Sequence, residues 1–240
     1  MKTGLSAEVL LKKRSKSGLV PKFREEKLCQ EQGYNLIAGI DEVGRGCLAG
    51  PVVAAAVILP GIKPGAWSRK IRDSKLLTPE QREDLFPYIH QTAISIGTGV
   101  TGSDVIDKYG MTYAVQLAMK IAVERLLPQP DYILIDYFTV PDISLPQKGV
   151  QDGDTICFSI ACASIVAKVY RDHLMVEWDR KFPGYGFAIH KGYGTKEHIT
   201  CLRKLGPTPI HRWLFAPLRN VSQLSFDDIQ KTVRSEFNET

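Results

Sequence analysis

Asp41 and Glu42 are adjacent carboxylates, and a glycine-flanked arginine, Gly44-Arg45-Gly46, follows them at once. Neighbouring acids at the end of a strand repel each other and call for a cation. Glycine on either side of an arginine lets the backbone come close to a ligand that the guanidinium also grips. Together these residues suggest a divalent metal beside a phosphate. Further acids stand at later element junctions: Asp136 closes the apolar run Tyr132-Ile133-Leu134-Ile135, and Asp152 and Asp154 precede a long helical stretch. Each alone also reads as a cap or surface acid, and Asp154 suits the N-cap of the helix that begins at Thr155. Taken together, without a matching basic cluster, they point to a metal site, and an all-oxygen set favours Mg²⁺ or Mn²⁺ over zinc. The chemistry that needs such a site is phosphoryl transfer, in which two metals ~4 Å apart stabilise the entering water and the leaving oxygen. The chain lacks a G-x-S-x-G elbow, so nucleophilic serine chemistry has no support.

The elements that must position these acids are legible as patterns. Leu36–Asp41 and Val52–Leu59 read as strands, the second buried on both faces. Thr78-Pro79-Glu80-Gln81 opens a helix running to about Gln91. Thr92–Thr101 reads as a strand, Ser103 as the cap of a short helix, and Met111–Leu127 as a helix stopped by Pro128. Asp131–Asp136 is a strand ending in an acid, and an irregular segment follows. Thr155–Phe182 predicts one long helix ended by Pro183-Gly184; Thr195–Leu205 and Ser225–Phe237 are further helices. Strands followed by mixed helices and strands give an α/β core with a helical C-terminal portion. In open α/β sheets functional groups gather at strand ends, so distant acids can converge.

Bulk composition narrows the class. The chain has 240 residues, 44% of them hydrophobic and 24% charged, enough for one sizeable core. No apolar run approaches the ~20 residues of a membrane span, and the N-terminus lacks the apolar core of a secretory signal. Five cysteines (Cys29, Cys47, Cys157, Cys162, Cys201) without a C-x-x-C pair argue against a disulfide framework and for a reducing cytosol. Residues 1–27 carry eight Lys/Arg against three Glu, a surplus that equals the net charge of +5 for the whole chain. Residues 1–32 therefore read as a basic extension, with a helix near Ala7–Lys13. It is either a solvated tail or an arm that contacts nucleic-acid phosphates. The domain spans residues 33–220, and 221–240 form a C-terminal helix or tail. Nothing marks an oligomer face, so a monomer is expected.

The motifs, taken jointly, resemble ribonuclease HII. The likeness opens at Asp41-Glu42-Val43-Gly44-Arg45-Gly46 with Ala49-Gly50-Pro51-Val52-Val53. It continues through Asp73-Ser74-Lys75, Leu134-Ile135-Asp136, Ala163–Asp172 and His190-Lys191-Gly192-Tyr193-Gly194-Thr195. The resemblance implies an RNase H-like fold, with a mixed five-stranded sheet flanked by helices and a helical C-terminal part. It implies cleavage of RNA in RNA–DNA hybrids and on the 5′ side of single ribonucleotides embedded in duplex DNA, leaving a 3′-hydroxyl and a 5′-phosphate. Mg²⁺ or Mn²⁺ is held by four acids, which map onto Asp41, Glu42, Asp136 and Asp154, with Asp172 as the rival for the fourth place. Gly44-Arg45-Gly46 surrounds the ribose 2′-hydroxyl and adjacent phosphates, and Tyr193 resembles the tyrosine that stacks at the RNA-to-DNA junction. Lys75 and Lys168 suit phosphate contacts, or surface and structural roles. The chain departs from the family pattern in four places. Cys47 stands for proline, Tyr137 for glycine (which would crowd the metal pocket), Asp152 for lysine and Cys162 for alanine.

Three other readings compete. Gly44-x-Gly46-x-x-x-Gly50 is a poor dinucleotide turn, because a strand rather than a helix follows and no strand acid appears ~20 residues on. A binding module without catalysis explains the basic arm and Tyr193, but not the gathered acids. His190, His198 and His211 raise the idea of zinc; with no cysteine or acid at ligand spacing, surface or capping roles are expected. Finally, Gln223-Leu224-Ser225-Phe226 is similar to peptides that dock into sliding clamps, and Ser225 equally suits the N-cap of the last helix.

Overall fold

In the computed structural model of the chain, residues 20–61, 65–215 and 218 are described. Helix α1 (Arg24–Glu31) precedes strands β1 (Ile37–Val43) and β2 (Val52–Ile58). Then come α2 (Pro79–Thr92), β3 (Ser95–Thr101), α3 (Ser103–Tyr109), α4 (Met111–Glu124), β4 (Tyr132–Asp136) and β5 (Gln147–Val150). The C-terminal part holds α5 (Gly153–Ile156), α6 (Phe158–Lys181), α7 (Phe187–His190) and α8 (Lys196–Leu205). The strands form one mixed sheet in the order β3-β2-β1-β4-β5. β1 is antiparallel to β2 and β2 to β3, whereas β1, β4 and β5 are parallel neighbours.

The side-chain alternation of the strands divides the core into two layers. Ile40, Ala54, Ala56, Ile133 and Ile135 face α4 through Ala114, Ala118, Met119 and Ala122. Val53, Ala55 and Val57 face the other way, onto Leu85 and Ile89 of α2 and Ala161, Ile165 and Val166 of α6. Every residue of β2 is buried, as its unbroken Val/Ala/Ile run predicts. Helix α6 lies close to β1 because residue 39 is glycine: a Cβ there would stand 2.3 Å from the Ser159 carbonyl carbon. That approach brings the start of α6 up to the strand that carries Asp41 and Glu42.

The structure departs from the sequence pattern in three places. The long helix does not start at Thr155. Cys157 is extended and forms a parallel bridge with Lys22, which separates the single turn α5 from α6. Helix α1 lies inside the stretch 1–32 read as an extension, and it packs against the domain. Cys29 joins Ile37, Leu134 and Ile160, and the buried Glu26 accepts from the Ser159 N–H at 2.8 Å. A carboxylate placed there satisfies a free amide of the first turn of α6 and complements the helix dipole. Strand β5 was hidden within the segment read as irregular. Gln147-Lys148-Gly149-Val150 carries no apolar run, as suits an edge strand that must not invite further pairing. The proposed helices at Ala7–Lys13 and Ser225–Phe237 lie outside the described residues. No described helix is long and apolar enough to cross a membrane, and all five cysteines are free thiols.

Candidate active site

Parallel pairing sets the first contact among the acids. Ile40 is in register with Ile135, so the next residues, Asp41 and Asp136, end neighbouring strands side by side. Asp136 accepts from the Gly153 N–H at 2.7 Å, which draws the α5 turn, and with it Asp154, to the same place. Glu42, Asp73, Asp136, Asp152 and Asp154 then line one cleft of about 340 Å³, together with Arg45, Lys75, Tyr137 and Phe138. Asp41 lies beneath it, only 4% exposed.

Crowding of like charge dominates this cleft. Burial, reinforced by Glu42 and Asp136, pushes the Asp41 carboxyl well above the usual range. Glu42 is also raised by burial, against the opposing pull of Arg45, and Asp136 is raised by burial and by Asp154. Two side-chain cations offset part of this charge. Lys75 Nζ is 2.8 Å from Asp154 Oδ2, and Arg45 Nη1 is 3.2 Å from Glu42 Oε1. As the side chains lie, no three His, Cys, Asp or Glu groups among the described residues stand close enough to hold one ion. The two cations occupy carboxylate oxygens that such an ion would use. Glu42 Oε2 is buried without a hydrogen-bond partner. A stranded acceptor among like-charged carboxylates is a donor set that fits a hard divalent cation.

The structure separates the two candidates for the fourth acid. Asp154 stands in the cleft, whereas Asp172 is bound by Lys168 at 2.7 Å and by Arg82 at 3.7 Å, away from it. Lys168 is therefore paired with Asp172 rather than with the acids, and its Nζ lies 5.7 Å from the Tyr193 ring centre. Tyr137 does not fill the cleft; it stands at the rim, 72% exposed.

The segment after β1 is clasped from below. Leu48 N–H donates to Gly192 O at 2.8 Å, and Cys47 bridges Tyr193, so Gly44-Arg45-Gly46 and Tyr193 belong to one surface. Gly44 has φ +98°, and a Cβ there would lie 2.4 Å from Arg171 Nε, so the fold itself demands glycine. Gly46 differs: a Cβ there would meet nothing within 4 Å, which leaves room for a ligand against the backbone. Arg171 and Arg212, both wholly buried, donate to carbonyls of this segment. Arg171 reaches Pro51 O at 3.0 Å and Ala49 O at 3.2 Å. Arg212 reaches Arg45 O and Gly50 O, each at 2.8 Å.

The histidines also differ from expectation. They are not at the surface but lie buried behind Tyr193. His198 Nδ1–H donates to Tyr193 O at 2.9 Å, because a carbonyl only accepts. His211 Nδ1 accepts from Thr208 N–H at 2.8 Å, so His211 Nε2–H donates to His198 Nε2 at 3.1 Å. This order requires both rings to be neutral. Burial agrees: it lowers His198 and, with His198 nearby, pushes His211 down to about 3. Sequence reasoning missed Asp73, Phe138, Arg171 and Arg212. Asp73 and Arg171 stand within the matched motifs, yet nothing local marks which carbonyls the arginines reach.

Comparison with known proteins places the chain in a family. Residues 38–218 match the family model described as Ribonuclease HII. A ribonuclease HII of Dehalococcoides mccartyi (strain BAV1) is 55% identical over 203 residues, covering 85% of this chain and 96% of its own length. Among solved structures, ribonuclease H2 from Pyrococcus horikoshii OT3 superposes with a TM-score of 0.65 at 22% identity, covering 81% of this chain and 99% of that one. A structure of the PCNA:RNase HII complex from Archaeoglobus fulgidus gives a TM-score of 0.62 at 22% identity, covering 80% of this chain and 99% of that one. The chain belongs to the ribonuclease HII family and is a metal-dependent ribonuclease H acting on RNA–DNA hybrids.

Proposed function

We propose that the protein cuts on the 5′ side of single ribonucleotides embedded in duplex DNA, as well as RNA in longer hybrids, leaving a 3′-hydroxyl and a 5′-phosphate. The observation that carries this reading is the convergence of Asp41, Glu42, Asp136 and Asp154 on one cleft beside Gly44-Arg45-Gly46. These four acids would hold Mg²⁺ or Mn²⁺, two ions in the full reading. Bound divalent ions supply the charge that activates water and stabilises the leaving 3′-oxygen.

The chain's own residues supply placement. The Gly46 backbone, open on its outer side, lets the sugar-phosphate strand approach. Arg45, half-exposed and held by Glu42 at 3.2 Å, can turn from that carboxylate to a phosphate. Tyr193, 40% exposed above Lys168 and Arg171, offers a ring to the sugar at the junction. The 2′-hydroxyl distinguishes RNA from DNA locally, so contacts to it couple recognition to the position of the scissile phosphate. Misplacement by ~1 Å costs about 100-fold in rate. Lys75, already at the cleft, is the second phosphate contact.

The test is cleavage of a duplex containing one ribonucleotide, with Mg²⁺, with Mn²⁺ and with chelator. Metal-dependent nicking at the 5′ side with a 3′-hydroxyl product is expected; nicking at the 3′ side, or none, rejects the reading. The complex of PCNA with the Archaeoglobus fulgidus RNase HII also supports a sliding-clamp partner bound through Gln223–Phe226, a segment outside the described residues. Loss of clamp capture by Gln223→Ala would support that contact, and unchanged capture would remove it.

A further inference from the structure

Tyr137 is an oddity on every count that the fold could explain. Its ring is 72% exposed, so it adds little to the core. Its φ is +70°, a region that costs a non-glycine residue steric strain. Glycine would adopt that backbone without strain. The turn is also held firmly. Tyr137 N–H donates to Val150 O at 2.9 Å and Phe138 N–H to Asp136 O at 2.9 Å, while Tyr137 O packs against Gly149. The ring therefore rides on a rigid mount directly after Asp136, at the rim of the acid cleft.

We propose that Tyr137 is a stacking platform for the nucleotide on the 5′ side of the scissile phosphate. The inference rests on the reading that a nucleic-acid strand occupies this cleft. In sheet order the acids lie at the ends of β1 and β4. Tyr193 is tied to the β1–β2 connection and Tyr137 to the β4–β5 side. Two exposed tyrosines thus stand on opposite sides of the carboxylates in sheet order. If Tyr193 holds the junction on the ribonucleotide's 3′ side, Tyr137 meets the neighbour across the scissile phosphate. An exposed aromatic ring on a fixed backbone suits this task because every base presents an apolar face that such a ring can cover. Phe138, with Arg45 stacked 5.9 Å from its ring centre, extends the same wall.

The experiment compares wild type with Tyr137→Phe, Tyr137→Gly and Tyr137→Asn on a single-ribonucleotide duplex with 2-aminopurine at the 5′ neighbour. Tyr137→Phe should retain KM and the fluorescence change on binding. Tyr137→Gly and Tyr137→Asn, which both accept the left-handed backbone, should raise KM about 5- to 100-fold with kcat little altered. They should also lose the 2-aminopurine signal, while Tm stays level or rises. A purely structural tyrosine would instead lower Tm and leave the signal intact. Unchanged KM and signal in the glycine variant, with wild type cleaving normally, overturns the inference alone. A wild type that never cuts this duplex overturns the underlying reading.

Discussion

Asp41 and Arg212 are both almost wholly buried, yet their surroundings are opposites. Asp41 sits against Glu42, Asp136 and Asp154, and every one of those charges raises the cost of its own. Arg212 sits against the carbonyls of Arg45 and Gly50, which its guanidinium saturates. The same contrast separates the two clusters as wholes. The cleft leaves a Glu42 oxygen stranded, whereas the histidine–arginine cluster behind Tyr193 runs donor to acceptor without a break. In these two places the arginine and histidines find their partners within the chain, and the Glu42 oxygen in the cleft does not. Removing a charge should therefore have opposite consequences for stability in the two places.

The largest effects test that contrast directly. Asp41→Asn should reduce cleavage by about 10³-fold, the scale of losing one preorganised group in a transition state. It should also raise Tm in chelator, because a neutral amide ends the repulsion. A fall in Tm would show that Asp41 is already satisfied without an ion. Arg212→Met should act the other way. Stranding two buried carbonyls and repacking the site costs roughly 3–5 kcal/mol, measured by urea unfolding. If Arg212→Met is as stable as wild type, the scaffold reading of that cluster is wrong.

A smaller effect concerns pH. Burial holds His198 below its ordinary range and His211 down to about 3, so the folded state keeps both rings neutral. The unfolded chain takes up those protons below ~6.5. It then binds more protons than the folded state, so stability falls as the pH drops below that value. The slope from His211 approaches ~1.4 kcal/mol per pH unit, and His198 adds to it in the same direction. Protonation would also set two N–H groups against each other at the 3.1 Å contact between the rings. Unfolding curves between pH 4 and 7 should show the slope, and a His198→Gln/His211→Gln protein should be flatter. An equally steep double variant would assign the acid sensitivity elsewhere.

The contrast also explains how much was legible in the residues alone. The sheet's inner strands and the acid positions were readable because unbroken apolar runs mark buried strands, and an acid closing such a run is conspicuous. β5 was not, since an edge strand needs no apolar signature. The break at Cys157 was hidden for a related reason. It depends on Lys22 pairing from more than a hundred residues away, against a local pattern that favours continuous helix. Asp154 and Asp172 looked alike as motifs and were separated by tertiary partners, Lys75 for one and Lys168 with Arg82 for the other. The arginines and histidines behind Tyr193 act mostly on backbone carbonyls, which carry no sequence identity, so no pattern announces them.

Lys75 gives the finest test, because it belongs to the cleft yet behaves like a scaffold partner toward Asp154. Burial works against its charge, but the bond to Asp154 and the charges of Asp154, Asp73 and Asp41 outweigh it, so the ammonium is held above its ordinary range. An ammonium 2.8 Å from Asp154 Oδ2 competes with any ion for that oxygen. Lys75→Met removes the competitor and one positive charge. It should therefore tighten Mg²⁺ or Mn²⁺ binding a few-fold, the modest scale of an exposed ion pair, measured as a metal-dependent rise in Tm or by calorimetry without nucleic acid. The same variant should weaken binding of the duplex if Lys75 turns to a phosphate once the ion is seated. Tighter metal with weaker duplex binding is the signature of a lysine that exchanges one anion for another. Weaker metal binding would mean that Lys75 holds Asp154 in place for the ion, and would move it from competitor to scaffold.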